Sequence, residues 1–585
     1  MRTQVGGSLK RRHSVGKKRE GKLRQHSFCG RNIASRILPF LLILSGFPAP
    51  RCGAAVYPSN GQLANIQGIH DHLAHNGDTI TLPSGTFRWT ARLNITKGIT
   101  LQGQTTITGA GTNSPIVDDV TIIKDDTLRT GQLKGIIRVD IDSTQSFRMT
   151  GITFTHGVTT VSPTTDGAIE LKGHGAAPVY NYRIDHCHFD TIYQPYLFLI
   201  DGWNFGVIDH NVFHQWGGSI AFHIYHDQYG GAAQINGNGS WADYPWFGTD
   251  KFFFIEDNSI YRNGQGATDA LFGGRAVVRH NYFHDAIITN HGTEAGAGRG
   301  GREFEVYDNV FDMTVPGQSG IRSGTILIHD NVYLGLEVPA DIVCNLANYR
   351  EGPARPDPVW GIADGTGVWD ANDTEGNGTF VEGHPPFLFA SGIAATASTP
   401  SGFGYVFRVS GNPHWTTNRW AGYSIKNLNL PLAYGSYIIS NTANTITYFR
   451  YNGADTGGYY LNFAVGNFFQ IHRVLAMMDQ SGSGKGDQLA GAQNPINTVT
   501  GVASYNHQAA EPCYSWNNVY TPNGHEMGFS SVYPTAAANI QYFNLGGGFP
   551  QDTTPSQVSS KYVAALNGVD YTGTYIYPHP LTLRP

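Results

Sequence analysis

Val277-Val278-Arg279-His280-Asn281-Tyr282-Phe283 is answered by Glu305-Val306-Tyr307-Asp308-Asn309-Val310-Phe311. Both read apolar, polar, polar, Asn, any residue, aromatic. The same order recurs at Ile208-Asp209-His210-Asn211-Val212-Phe213 and at Ile328-His329-Asp330-Asn331-Val332-Tyr333, with a shorter copy at Ile255-Glu256-Asp257-Asn258. An earlier copy, Ile184-Asp185-His186-Cys187-His188-Phe189, has Cys in the Asn position. The anchors at 187, 211, 258, 281, 309 and 331 are spaced 24, 47, 23, 28 and 22 residues apart. One period is therefore about 23 residues, and one interval holds a large insertion.

A repeat of this size is too small to bury its own apolar face, so copies must stack. Apolar residues alternate within each copy, and β-branched and aromatic residues dominate, which is strand periodicity. The Asn falls where a strand can bend: it tolerates the left-handed conformation, and stacked amides can bond from rung to rung. These features describe one coil of a right-handed parallel β-helix, in an all-β chain. A leucine-rich repeat needs a regular Leu frame, and a propeller needs a blade period nearer 40–50 residues. Neither pattern is present.

The ends differ from the body. The first 54 residues hold 12 Lys or Arg against one acid, then an apolar run from Ile37 to Phe47 and small residues at Gly53-Ala54-Ala55. That is the order of a secretory signal, so 1–54 is expected to be a targeting segment and the protein secreted, extracellular or periplasmic. No later apolar run is long enough to span a membrane. The rest of the chain has 27 basic and 43 acidic residues. So acidic a body argues against nucleic acid as a partner. Its three cysteines (Cys187, Cys344, Cys513) allow at most one internal disulfide. Residues 55–390 read as capped solenoid and 391–466 as a small inserted β unit off the coil period. Residues 467–585 read as a return to the helix, with Phe468–Met478 and then Asn518 as a late anchor, ending in a Pro-rich strap. A monomer is expected.

The entry segment carries a resemblance. A helix within Gly61–His75 precedes Asp78-Thr79-Ile80-Thr81-Leu82-Pro83-Ser84-Gly85-Thr86-Phe87 and Ile99-Thr100-Leu101-Gln102-Gly103. With the Asn-turn coils to about Leu336, this resembles the pectate-lyase-like (pectin lyase fold) β-helix superfamily. The resemblance implies three strands per coil, with the Asn turn after the second. First strands then fall at Ala168–Lys172, Tyr196–Asp201, Ile220–His226, Thr268–Phe272, His291–Glu294 and Ile321–Ser323. The long interval becomes a loop over 227–250 carrying Trp241, Tyr244 and Trp246. Two readings of it are open: aromatic platforms for sugar rings, or a loop that folds back and buries its own aromatics.

Stacked first strands are about 4.8 Å apart. His223, Asp269 and His291 thus fall on three successive rungs of one face. The Gly-rich run from His291 to Glu303 adds Arg299 and Arg302 and is similar to the Arg-rich segment of pectate lyases, although that family's Pro and His are absent. The chemistry implied is β-elimination on an acidic, uronic-acid polysaccharide. Arg neutralises the carboxylate, His291 or His223 takes the adjacent proton, and Tyr225 protonates the leaving oxygen. Trp241, Tyr244, Trp246 and Arg322 are the candidate substrate contacts. Calcium is the cofactor the resemblance suggests, with Asp201, Asp269, Glu294 and Glu303 as hard oxygen donors. Two other functions are open: a glycoside hydrolase with paired carboxylates from Asp201, Asp269 and Glu294, and a non-catalytic carbohydrate-binding adhesin.

Overall fold

The structure, a computed structural model, describes residues 53–127, 135–158, 167–190, 196–214, 220–231, 237–292, 299–315, 319–335, 342–346, 388–402, 404–421, 423–430, 435–450, 460–472, 479–484, 509–531, 536, 538, 541–545, 571 and 573–584. The expected targeting segment lies outside these residues except for its last two positions.

Short strands of alternating burial stack in parallel into a solenoid with three faces. The strands that precede the Asn turn form a twelve-stranded sheet, from Val56–Pro58 to Tyr542–Leu545. Those after the turn form the second face, for example His188–Asp190, Val212–His214 and Val310–Met313. The third face stacks Leu93–Ile95, Ile137–Ile141, Ile169–Gly173, Tyr196–Gly202 and Ile220–Tyr225. The 13-residue strand Ser259–Leu271 turns a corner, pairing with Val212–His214 at one end and Ile220–Tyr225 at the other. The β-helix fold expected from the repeat is the fold observed. Inward residues stack like with like, as in Phe283–Phe311–Tyr333 with ring centroids 4.8 Å apart at each step. The helix Leu63–His72 joins this core through Ile66 and Ile69.

The turn works differently from the expectation. The left-handed residue is the one before each Asn: His186, His210, Asp257, His280, Asp308, Asp330 and Asn517 have φ between 50° and 56°. Asp, Asn and His are the non-glycine residues that enter this region most readily. The Asn itself is buried and forms a ladder. Asn211, Asn258, Asn281, Asn309 and Asn331 each donate from Nδ2 to the Oδ1 of the next rung's Asn, at 2.8–3.1 Å. Each also donates to two carbonyls, as Asn309 does to Val278 and Tyr307. Cys187 starts the ladder, where only its backbone N–H needs the Asn211 oxygen.

Asn518 accepts from Asn331, and Leu327 pairs with Tyr514, so the rungs at 331 and 518 are neighbours. The chain between them includes a seven-stranded antiparallel sheet with its own core around Phe407, Trp420, Ile438 and Phe463. Phe468–His472, expected to return to the solenoid, instead pairs antiparallel with Leu388–Ile393 and Ser424–Asn427. Apolar strand periodicity alone does not say which sheet a strand joins; residues 473–478 lie outside the described residues.

The outer side of the pre-turn sheet is apolar and covered. Val207, Phe254, Val277 and Leu327 pack beneath Phe247, Phe252 and Leu581. Arg279 fastens the C-terminal strap, donating to the carbonyls of Tyr575 (2.7 Å) and Ile576 (3.0 Å). No described helix is long and apolar enough to cross a membrane.

Candidate functional site

The third face carries its polar side chains outward in two register-matched rows. One row runs Asn94, Arg138, Glu170, Leu199, His223, Asp269; the other runs Asp140, Lys172, Asp201. Strand alternation puts the apolar partners, such as Phe198, Phe222 and Ile224, into the core.

The rows converge on one cluster. Asp269 Oδ2 lies against His291 Nδ1 and 3.6 Å from His223 Nε2. The Tyr196 ring is 4.0 Å and the Tyr225 ring 4.4 Å from the His223 ring, centroid to centroid. Asp269 and His223 are buried, whereas the His291 side chain is 27% exposed. Neither His223 nitrogen and neither Asp269 oxygen completes a hydrogen bond among the described residues. Buried polar atoms are normally bonded, and catalytic contacts often align only when a ligand is present. Burial pulls His223 down to about 4, outweighing the attraction of Asp269, so it is neutral at pH 7. Burial also raises the Tyr196 and Tyr225 hydroxyls, which stay protonated. Sequence reasoning missed Tyr196 as a site residue, although it begins a predicted first strand.

Arg322 stands next to this cluster. Its backbone N–H donates to Asn290 Oδ1 at 2.7 Å and its Nε to the Asn290 carbonyl at 2.6 Å, one residue from His291.

Arg299 and Arg302 are placed elsewhere. Both are fully buried. Arg299 is held by both oxygens of Asp479, at 2.8 and 2.7 Å, and by Asn238. Arg302 is bound by Glu511 and lies 3.0 Å from Glu303, which is in turn 2.7 Å from Arg275. Trp241 sits beneath both guanidiniums at 4.9 and 5.1 Å. Two arginines satisfied this way are not available as a substrate clamp. The glycines between them are there for space: a Cβ on Gly300 would lie 2.5 Å from Ser323 Cβ.

The described part of the 227–250 loop packs onto the solenoid. Trp241 is fully buried and donates Nε1–H to the Gly300 carbonyl at 3.0 Å. Trp246 packs against the outer apolar cluster of the pre-turn sheet, with Lys251 3.4 Å above its ring and Tyr244 edge-on at 5.5 Å. Platforms overhanging the groove are therefore not what these rings form; the loop's own apolar area drives them inward.

Among the described residues, each calcium candidate has another partner. Asp201 Oδ2 accepts from Lys172 Nζ at 2.6 Å, Asp269 faces two histidines, and Glu303 faces two arginines. Glu294 lies outside the described residues. Each of the three described carboxylates therefore already has a cationic or histidine neighbour.

The chain matches no protein-family model and no curated protein. Among solved structures it is similar to an alginate lyase from Paenibacillus sp. str. FPU-7, at 13% identity, over 48% of this chain and 96% of that one, with a TM-score of 0.27. A likeness of that degree says nothing about chemistry.

Proposed function

We propose that this protein is a secreted carbohydrate-active enzyme that cleaves an acidic polysaccharide by β-elimination along the third face. The observation that carries the reading is the Asp269–His291–His223 cluster flanked by two tyrosines, with its polar atoms buried and incompletely bonded. Asp269 beside Nδ1 favours the tautomer of His291 that leaves Nε2 as a proton acceptor. His291 then removes the proton from the carbon bearing the uronate carboxylate. The C–H electrons form the C4–C5 double bond, the C4–O bond breaks, and a tyrosine hydroxyl, Tyr225 or Tyr196, protonates the departing oxygen. Charge building on the carboxylate needs a cation, and Arg322 beside Asn290 is suited to supply it. His223, buried and neutral, positions Asp269 and the tyrosine rings.

Hydrolysis is the weaker reading. Asp201 and Asp269 are two rungs apart and two residues offset along the strand, about 12 Å and beyond the spacing of an inverting pair, and both are already faced by other side chains.

The test is absorbance near 235 nm, where the unsaturated product absorbs, with pectate, alginate and glycosaminoglycans. Each is run with calcium and with a chelator. A rise in the wild type that is absent in His291→Gln supports elimination at this site. New reducing ends without absorbance would move the assignment to hydrolysis, and neither signal would leave a binding protein.

A further inference from the structure

Lys172 is a half-buried ammonium on the groove, and its neighbours are crowded with acid. Asp201 Oδ2 accepts from it at 2.6 Å, across adjacent rungs in register. Asp201 is 6% exposed, and its Oδ1 has no hydrogen-bond partner among the described residues. Arg138 and Arg92 lie 3.5 and 3.8 Å from Glu170, Asp140 in register with Lys172 is bonded to His174 at 2.6 Å, and the remaining neighbours are acids or neutral hydroxyls. Glu170 lies on the Lys172 strand, Asp227 follows Ile220–Tyr225 and accepts from Gly202 N–H at 2.8 Å, and the neutral Tyr225 and Tyr182 hydroxyls are near the same carboxylate, Tyr182 donating to the Lys172 carbonyl at 2.7 Å. Asp201 thus depends on one bonded cation while lying near two further carboxylates. A substrate carboxylate entering here competes with Asp201 for Lys172, and a buried Asp201 that loses its one bonded cation is left as an uncompensated charge.

Resting on the elimination reading above, the geometry points to a carboxylate-exchange subsite. A uronate of the bound polymer takes the Lys172 ammonium, and Asp201 answers by taking a proton from solvent. The subsite is two rungs from His223, about 10 Å along the groove, so it engages a sugar other than the one being cleaved. Burial already lifts the Asp201 carboxyl to about 7 even with Lys172 in place. Without that cation it rises further, and uptake is largest above pH 7, where the free protein still holds Asp201 ionised.

The test is titration calorimetry of uronate hexamers (galacturonate, mannuronate or guluronate) at pH 7.5, in two buffers of different ionisation enthalpy. The full chain carries His291→Gln, so that turnover adds no heat. The expected result is uptake of up to about three-quarters of a proton per hexamer, lost in Asp201→Asn, which still binds at least as tightly, and loss of binding in Lys172→Met. Circular dichroism establishes that each variant is folded. A carboxyl-reduced hexamer, which offers Lys172 no carboxylate, should lose binding as Lys172→Met does, and with it the uptake. Hexamer binding whose proton count is the same with and without Asp201→Asn overturns the exchange alone. Absence of binding by all three uronates overturns both the exchange and the acidic-polysaccharide reading beneath it.

Discussion

Replacing Asn309 by Ala should cost far more than its loss of atoms suggests. Asn309 Oδ1 accepts from the backbone N–H and the Nδ2 of Asn281, both at 3.0 Å. Its own Nδ2 donates to Val278 O at 2.9 Å, Tyr307 O at 3.0 Å and Asn331 Oδ1 at 3.0 Å. The Asn281 side chain keeps its bonds to Ile255 and Arg279. Its backbone N–H, by contrast, is left with no other acceptor among the described residues. An orphaned buried donor costs about 1–3 kcal/mol, and a net hydrogen bond about 1 kcal/mol, so the total should be about 3–5 kcal/mol. Asn309→Asp sharpens the test. It keeps the acceptor for Asn281 but aims an oxygen at three acceptor oxygens, so at pH 7 it should be at least as damaging as Ala. Burial among oxygens raises the introduced carboxyl's pKa, so the damage should ease as pH falls through that value and the protonated form regains a donor. Asp308→Gly is the control, because φ is 53° there and glycine accepts that conformation. Urea unfolding followed by circular dichroism, with hydrogen exchange at the Asn281 amide, measures both effects. A ladder of little energetic weight, shown by Asn309→Ala within about 0.5 kcal/mol of wild type, would refute the reasoning.

Asp269→Asn should lower kcat on the responsive polymer by about 10²–10⁴-fold with KM little changed, and should shift the pH profile's acid limb, which a purely structural role would not do. Acid should unfold the protein early: burial holds His223 down at about 4 and His226 at about 3. The unfolded chain therefore binds more protons between pH 6.5 and those values, so stability falls as pH drops through that window, on the order of 3 kcal/mol for His223 alone; a midpoint flat from pH 7 to 4.5 would contradict this. Asp479→Ala leaves a fully buried guanidinium without its bidentate partner and should destabilise by about 3–5 kcal/mol. Arg299→Met/Asp479→Leu should recover much of that loss, as read from thermal unfolding.

What the sequence disclosed depended on how far apart the interacting residues lie along the chain. The coil repeats locally, so the anchors and the His223–Asp269 register could be counted from one rung to the next, with His291 falling on the rung after. The partners of Arg299 and Arg302 could not, because Asp479 and Glu511 are 180 and 209 residues away, beyond the inserted sheet. An Arg-rich run whose bidentate acid partners lie that far along the chain reads as a free clamp until those acids fold onto it. Trp241 misled for a similar reason: a loop aromatic shows its size in the sequence but not which apolar surface it meets. The turn was misplaced by one residue because Asn suits both a left-handed bend and a buried ladder. Only the stacked geometry shows that the preceding His or Asp makes the bend.

That division of labour bears on the site. Histidines at the bend, such as His186 and His210, bind their neighbouring aspartates at 2.8 and 2.9 Å and stack on each other at 5.4 Å. They complete their contacts within the solenoid. His223 lies on a strand, meets Asp269 at a distance too long for a hydrogen bond, and completes neither nitrogen among the described residues. Counting histidines in the sequence does not separate the two kinds; asking whether each one's polar atoms are satisfied does. By that criterion the third face, with Asp201, His223 and Asp269 on successive rungs and incompletely bonded among the described residues, has capacity left for a ligand.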